Sequence, residues 1–357
     1  MAHNKCQSLS ITIYIQSAAG GYGDAVELSR NVTITDVARS AGVSVATVSK
    51  VINDRYGVAK LTERRVRQVI AELGYESSLV AKSLRAHRTG VLGILVAEFE
   101  PFSTEVLKGL ASGAKDSGYE LLAHSGGTGP NGHEGWEMRS LSRLSGTLID
   151  GAVLVTPTVV DGHPRIPVVA IDPHTGTTVL PTIDCDNLGG ADSAVEHLLG
   201  LGHRRIGFLA GRPDLQSALL REEGYRRTLA AAGLDVDENL IRVGGYRAET
   251  AGGPALELLS LPQRPTAVFA ANDLTAIRTI EVAESLGLRV PEDLSVVGFD
   301  NVPDAAQANL TTVAQPLHEI GERAMRTLLA LLAGEAAADH VTLSTELVVR
   351  GSTAPPA

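Results

Sequence analysis

The sequence predicts an α/β protein in which a small, all-helical helix-turn-helix head precedes a two-lobed body of doubly wound parallel sheets. Residues 32–76 carry short helical patterns separated by glycine-containing breaks, with no run typical of a strand. From Val91 onward, short apolar runs alternate with amphipathic helical patterns, which is typical of parallel sheets covered on both faces. The charge is also divided between the two parts, and this division points to different partners.

The head is basic and the rest of the chain is acidic. Between Val32 and Thr89, ten Lys/Arg and five Asp/Glu give a net charge of +5, whereas the whole chain carries −10, which leaves −15 elsewhere. A basic segment attached to an acidic body predicts a polyanionic partner for that segment alone. An ordinary solvated basic face is the alternative, and charge by itself does not exclude it.

Composition excludes several classes of protein. No run of about 18 apolar residues is present to cross a bilayer, so we expect no membrane partner. The apolar run within residues 10–20 is too short for a secretory signal, which predicts a cytoplasmic protein. The two cysteines, Cys6 and Cys185, cannot form a disulfide framework, and no Cys/His cluster has zinc spacing. We therefore expect neither a metal nor another cofactor.

The pattern along the chain predicts five regions. These are a loose N-terminal extension or upstream start-site artefact (1–31), the helix-turn-helix domain (32–76), a hinge helix and linker (77–89), the effector-binding and dimerisation body (90–353) and a tail (354–357). Within the body, the predicted N-lobe comprises about 90–187 and 317–334. The predicted C-lobe comprises about 188–314 and 340–353.

The head begins with a capping-box pattern, in which the Thr33 hydroxyl and the Asp36 carboxylate satisfy free N–H groups of the first helix. Gly42 supplies the turn, and Ser44 is placed to cap the second helix. We predict that this second helix buries Val48, Val51 and Ile52. It leaves five small or polar residues outside: Val45, Ala46, Thr47, Ser49 and Lys50.

This arrangement is typical of a helix-turn-helix. A recognition helix needs small or polar outer side chains because its backbone must approach the floor of the DNA major groove. An ordinary pair of antiparallel helices is the alternative interpretation. The pattern extends over twenty residues within the basic segment, which favours the DNA-binding interpretation.

The body contains seven apolar runs that predict buried parallel strands. They cover residues 91–96, 120–125, 151–155, 168–171, 205–210, 267–271 and 295–299. Because the 267 residues from Val91 onward are many for one such sheet, we expect two α/β lobes with a cleft between them.

The stretch VTITDVARSAGVSVATVSKVIN resembles the N-terminal motif of the lactose-repressor (LacI/GalR) family of bacterial transcription regulators. The resemblance continues in the family's order over residues 32–353. It includes the segments LTERRVRQVIAELGY, VAKSLRAHRTG, DNLGGADSAVEHLLGLGHRRIGFLAG, RPTAVFAANDL, VPEDLSVVGFDNVP, LTTVAQPLHEIGERA and ELVVRGST. It implies a body like that of periplasmic binding proteins, and a repressor that binds a pseudo-palindromic double-stranded operator as a homodimer.

The resemblance also implies the DNA-contacting residues. Val45, Ala46 and Lys50 occupy the base-reading positions, and Lys50 replaces a more usual arginine. Thr47 and Ser49 can reach a phosphate or a base. The remaining implied contacts are to phosphates and the minor groove: Thr33, Asn53, the small Ala81 and Leu84, a wedge between base steps. Packing on the core is the alternative role for Leu84.

For the body, the resemblance implies a sugar-like effector in the cleft. The implied effector-binding residues are Phe102, Asp172, Arg221, Tyr246, Asn272, Asp300 and Gln315. Two of them have structural alternatives, because Asn272 could cap a helix and Asp300 could close a turn. Ser103 stands where the family commonly has a second aromatic residue, so the identity of the effector is not transferred.

Two other functions compete with an effector-controlled regulator. A periplasmic solute-binding protein without a regulatory role would suit the body, but it predicts a signal peptide and no basic helical module. An enzyme fused to a DNA-binding head is the second. The sequence contains no P-loop, no G-x-S-x-G and no Rossmann fingerprint after the first strand, so we expect no enzymatic activity.

Overall fold

The computed structural model describes residues 12–13, 32–52, 55–75, 88–126, 135–158, 164–174 and 179–357. The chain divides between Thr89 and Gly90 into two compact units, a helical head and an α/β body. The predicted hinge helix lies outside the described residues.

The head is a bundle of three helices around its own small core. The helices are α1 (Ile34–Ala41), α2 (Val45–Ile52) and α3 (Lys60–Leu73). Their buried apolar side chains are Val37, Ala38, Ala41, Val48, Val51, Val66 and Val69. Ile52 was predicted to be buried, but it is half-buried because it stands at the last residue of α2, where the helix leaves the core.

The predicted caps are present at both helices of the motif. The Asp36 N–H donates to Thr33 Oγ1 (3.3 Å), and the Thr33 N–H donates to Asp36 Oδ2 (3.0 Å), which completes the capping box. Gly42 ends α1 at φ 64°, a conformation that glycine adopts without strain. The Thr47 N–H donates to Ser44 Oγ (3.1 Å), so Ser44 caps α2 as predicted.

The first sheet of the body has seven strands, which are all parallel. In spatial order they are β1 (Thr12–Ile13), β3 (Glu120–Ser125), β2 (Val91–Val96), β4 (Gly151–Val155), β5 (Val168–Ile171), β6 (Thr182–Cys185) and β12 (His340–Leu343). Helices α4 (Pro101–Gly113) and α11 (Leu317–Leu332) share one core with this sheet, and α5 (Trp136–Leu144) contributes to the other.

The second sheet has six strands. In spatial order they are β13 (Glu346–Val348), β11 (Thr311–Ala314), β10 (Ser295–Asp300), β9 (Ala267–Ala270), β7 (Ile206–Ala210) and β8 (Ile241–Val243). Only the pairing of β13 with β11 is antiparallel among the described strands of this sheet. The helices that accompany the sheet are α6 (Asn187–Gly200), α7 (Gln216–Ala231), α8 (Ala248–Leu259), α9 (Asp273–Ser285) and the short α10 (Pro303–Gln307).

The chain passes between the two sheets three times. The passages follow β6, β11 and β12, and the last of these corrects the predicted lobe boundary. We placed residues 340–353 in the C-lobe, but His340–Leu343 pairs with β6 in the first sheet, so the passage comes after Leu343. Within the predicted loose extension, the two described residues, Thr12–Ile13, pair with β3 at the edge of that sheet.

Candidate functional site

Two regions carry the predicted functional residues, the outer surface of α2 in the head and a cavity in the body. On α2, Val45, Ala46 and Lys50 are exposed, whereas Thr47 and Ser49 are half-buried. Because the exposed side chains near the start of α2 are small, its backbone can approach a groove floor closely. Val45 and Ala46 can contact thymine methyl groups, and Lys50 adds a point charge rather than a planar fork.

Two of the predicted DNA-contacting hydroxyls already have partners within the head. The Thr33 hydroxyl donates to Asp36 Oδ2 (2.6 Å), and the Thr47 hydroxyl lies 2.9 Å from Ser44 Oγ. Each hydroxyl oxygen keeps further lone-pair capacity, so a phosphate contact has to share the group with a helix cap. The other three predicted contacts, Asn53, Ala81 and Leu84, lie outside the described residues.

The cavity in the body has a volume of about 570 Å³. It lies at the carboxyl ends of strands from both sheets, the position expected for a ligand in open α/β sheets. Six of the seven predicted effector-binding residues line it, namely Phe102, Asp172, Arg221, Tyr246, Asn272 and Asp300. Gln315 does not line the cavity. Its Nε2 donates to Asp300 Oδ1 (2.6 Å), so it supports a lining carboxylate from behind.

Arg221, on α7, is the central buried charge of the cavity, with 3% of its surface exposed. Its Nε donates to Asn187 Oδ1 (2.9 Å). Its Nη1 donates to the Ala271 carbonyl (2.5 Å) and lies 3.4 Å from Asp300 Oδ1. The guanidinium also stacks on Phe299, with Cζ 3.8 Å from the ring centroid. Three of its five N–H groups are therefore committed within the protein, which leaves those of Nη2 to face a ligand.

The backbone is strained at two of the carboxylate residues that line the cavity. Asp172 and Asp300 have φ values of 46° and 109°, in the region that residues with a Cβ rarely occupy. Asp172 directly follows β5 and Asp300 is the last residue of β10, so each lies where the chain leaves the sheet. Strain of this kind persists where surrounding contacts hold the residue in place, and it is frequent at ligand sites.

Burial shifts the protonation of the groups around the cavity. It raises the pKa of Asp172 to about 6, although the nearby Arg221 charge opposes the rise. For Asp300, which pairs with Arg221, burial also raises the pKa, and the Arg221 charge again opposes it. Burial, together with the charge of Arg212, lowers the pKa of His174 to about 4, so His174 lines the cavity as a neutral imidazole.

The chain is similar in sequence to known bacterial regulators. Residues 33–78 match the family profile described as "Bacterial regulatory proteins, lacI family", and residues 195–353 match "Periplasmic binding protein-like domain". The HTH-type transcriptional repressor CytR of Escherichia coli (strain K12) is 33% identical over 333 residues, covering 90% of this chain and 96% of CytR. The chain belongs to the lacI family. It is a DNA-binding transcriptional regulator whose head carries the helix-turn-helix.

Other known proteins are similar to this regulator in sequence and in structure. The HTH-type transcriptional regulator CelR of Thermobifida fusca is 33% identical over 344 residues, covering 92% of this chain and all of CelR (100%). The solved lac repressor dimer bound to operator and the anti-inducer ONPF is 27% identical, with a TM-score of 0.77 over 91% of this chain and 100% of that one. The CelR–cellobiose complex is 31% identical, with a TM-score of 0.66 over 90% and 99%.

In this lacI-family regulator, the Asn272 side chain has the structural role that the sequence left open. Its Oδ1 accepts from the Thr275 N–H (3.0 Å) and caps α9, while its Nδ2 donates to the Tyr246 carbonyl (3.0 Å). Asn272 therefore fixes the loop that carries Tyr246. The Tyr246 ring lies against the guanidinium of Arg221, with a centroid distance of 5.7 Å to Cζ.

The regulator also uses charged residues that the sequence analysis missed. Arg247 Nη2 lies 2.5 Å from Glu98 Oε2, which joins the loop after β2 in the first lobe to the loop before α8 in the second. The buried Ser103, the atypical wall residue, holds the Glu98–Glu100 loop: it accepts from the Glu100 N–H (3.0 Å), and its hydroxyl lies 2.9 Å from the Glu98 carbonyl oxygen. Their position in the sequence could have indicated a role at the cavity, because Glu98 and Glu100 lie in the loop that follows the predicted strand 91–96.

The part of the regulator that the structure describes holds no group of three or more side chains suited to binding a metal. Within the same residues, no helix is long and apolar enough to cross a bilayer.

Proposed function

We propose that this regulator is a repressor that binds a pseudo-palindromic operator as a homodimer and is controlled by a small, uncharged, sugar-like effector in the body cavity. The observation that carries the DNA-binding part is the outer surface of α2, where Val45, Ala46 and Lys50 stand exposed on a capped helix. The lac repressor neighbour, a dimer bound to operator, supports the same assembly. The alternative function, a periplasmic-type solute-binding protein without a regulatory role, would not require such a surface on α2.

The cavity supports a hydroxyl-rich ligand. Carboxylates, guanidinium groups and backbone carbonyls line it beside the rings of Phe102 and Tyr246, and this mixture suits a molecule with polar edges and apolar faces. The structural neighbour CelR was solved in complex with cellobiose, which supports a carbohydrate-like effector.

The charge of the cavity favours an uncharged effector over a phosphorylated or carboxylated one. All three lining arginines have carboxylate partners: Arg247 with Glu98, Arg212 with Asp214, and Arg221 with Asp300. Two further lining carboxylates, Glu100 and Asp172, form no ion pair with lysine or arginine in the described parts of the chain. An anionic ligand would have to displace these carboxylates from the arginines, whereas hydroxyl groups can donate to the carboxylates and leave the ion pairs in place.

DNA binding is tested by selecting duplexes from random-sequence DNA with the full-length protein and footprinting the protein on the selected duplexes. We expect a two-fold symmetric footprint, because a homodimer presents two equivalent heads, and an affinity that falls steeply with salt. An asymmetric footprint over one half-site, or no salt dependence, would contradict the proposal.

Effector charge is tested separately by thermal unfolding with matched pairs, such as glucose and glucose 6-phosphate or ribose and ribose 5-phosphate. We expect stabilisation only from uncharged members, through preferential binding to the folded state. Saturable stabilisation by a phosphate ester, lost on replacement of Arg221, would refute the charge argument while leaving DNA binding intact.

A further inference from the structure

The most exposed large apolar side chain among the described residues is Tyr56, which is 100% exposed. It stands in the loop between α2 and α3, outside the set of residues that the helix-turn-helix motif assigns to DNA. A tyrosine ring held entirely in water gains nothing from burial, so it adds nothing to the stability of the head. The contacts of its loop show which face of the head it belongs to.

The loop is attached to Lys50, the basic residue on the outer surface of α2. The Arg55 N–H donates to the Lys50 carbonyl (2.9 Å), which turns the chain back over the end of α2. Gly57 has a φ of 101°, and a Cβ at that position would lie 3.8 Å from Lys50 Nζ. The loop backbone therefore runs beside the Lys50 ammonium group, on the face that carries the proposed base-reading side chains.

The surroundings of Tyr56 fit a polyanion. The chain on either side of it is basic: Arg55 precedes it directly, and Lys60 and Arg64, which follow on the first turns of α3, are exposed. In the major groove, a phosphate row runs along each side of the base edges, so a residue beside a base-reading side chain faces phosphate. A phenol can donate to a phosphate oxygen, and tyrosine is one of the side chains that make such contacts.

We propose that Tyr56 contacts operator DNA, donating a hydrogen bond from its hydroxyl to a phosphate oxygen that flanks the bases faced by Lys50. This proposal rests on the DNA-binding role proposed above and adds a residue to it. Because the tyrosine is uncharged, its contact releases no counterion, so it contributes affinity without contributing to the salt dependence.

The test uses a duplex selected from random-sequence DNA by the wild-type full-length protein, with affinity measured by fluorescence anisotropy over a range of KCl concentrations. We expect Tyr56→Ala to weaken binding about 5- to 15-fold and Tyr56→Phe to lose most of that affinity as well, since one charge-assisted hydrogen bond is removed. The slope of log K against log salt should stay unchanged for both variants. Arg55→Ala should lower that slope by about one if it contacts phosphate.

The matched control is Leu286→Ala, which removes an exposed apolar side chain from the body. It should leave the affinity unchanged, and thermal unfolding of the two Tyr56 variants should match that of wild type because Tyr56 has no packing to lose. Affinity of Tyr56→Ala within twofold of wild type would overturn the contact. Full affinity of Tyr56→Phe would overturn the hydrogen bond. Failure of the wild-type protein to select any duplex would instead overturn the proposed function, and this inference with it.

Discussion

Replacing Arg221 by methionine tests whether the cavity is organised around this one buried cation. Methionine keeps much of the side-chain volume but removes the donors to Asn187 Oδ1, the Ala271 carbonyl and Asp300. An acceptor left unsatisfied in a buried site costs about 1–3 kcal/mol, and the cavity can return water to some of these groups. We therefore expect the folded body to lose about 2–5 kcal/mol of unfolding free energy near neutral pH.

The pH dependence of that loss follows from Asp300. Burial raises the pKa of Asp300 above its value in the unfolded chain, so the folded state binds the proton more tightly. The stability that protonated Asp300 contributes at low pH is therefore lost as the pH rises towards the folded pKa. The Arg221 charge opposes the rise, so Arg221→Met should raise the pKa of Asp300 further. The gap between variant and wild type should therefore be larger at pH 8 than at pH 5.5.

Urea unfolding of the full-length protein at both pH values measures this gap, and Asp300→Asn in the Arg221→Met background serves as the control. The double variant should recover stability at pH 8, because the buried carboxylate is gone. Operator affinity without effector should barely change, whereas the response to an effector should need at least about tenfold more ligand, since a charge-assisted contact is lost. A gap that is independent of pH, or an unaltered effector response, would refute the central role of Arg221.

Three further predictions concern single contacts described above. Thr33→Ala should destabilise the head by about 1 kcal/mol, because the capping box is lost, and faster hydrogen exchange confined to α1 would report it. Lys50→Ala should cost roughly 1–3 kcal/mol on a selected operator but less on random duplex if Lys50 reads a base, and equal losses in titrations of both would mean that it contacts only phosphate. Asp172→Asn should be more stable than wild type by about 1–2 kcal/mol at pH 7 and by less at pH 5. Because the pKa of Asp172 is raised to about 6 in the folded protein, ionisation of this buried carboxyl destabilises the wild type progressively as the pH rises from about 4 to 6. Urea unfolding checks the last prediction, and a gap that grows towards pH 5 would contradict it.

The sequence predicted the central strands of both sheets to within one residue at each end. Those strands are continuous apolar runs, as in VLGILV at β2 and GAVLV at β4, because both of their faces are covered. After Gly90 it missed β6, β8, β11, β12 and β13, which are short and carry polar side chains such as those of Thr182 and His340. Three or four residues of mixed polarity give no usable period, so only the pairing of the chain identifies them as strands.

The same limit applies to the cavity. Asp172 and Asp300 could be placed because each follows a recognisable strand, and parallel strands end at a common edge. The pairing of Glu98 with Arg247 could not be predicted, because it depends on how two lobes with separate cores meet. The role of Gln315 could not be predicted either. It contacts Asp300, 15 residues earlier in the sequence, only because β10 pairs with β11.

The three passages between the sheets have a consequence for how the protein is made. Each lobe takes a strand from the last stretch of the chain, β12 for the first and β13 for the second, so neither sheet can be completed until that stretch has left the ribosome. The head has its own core, and 268 residues of this sequence follow Thr89. At about 5–20 residues per second, translation of those residues takes roughly 13–54 s. A nascent chain can therefore present a folded head while its body is still unable to respond to any effector.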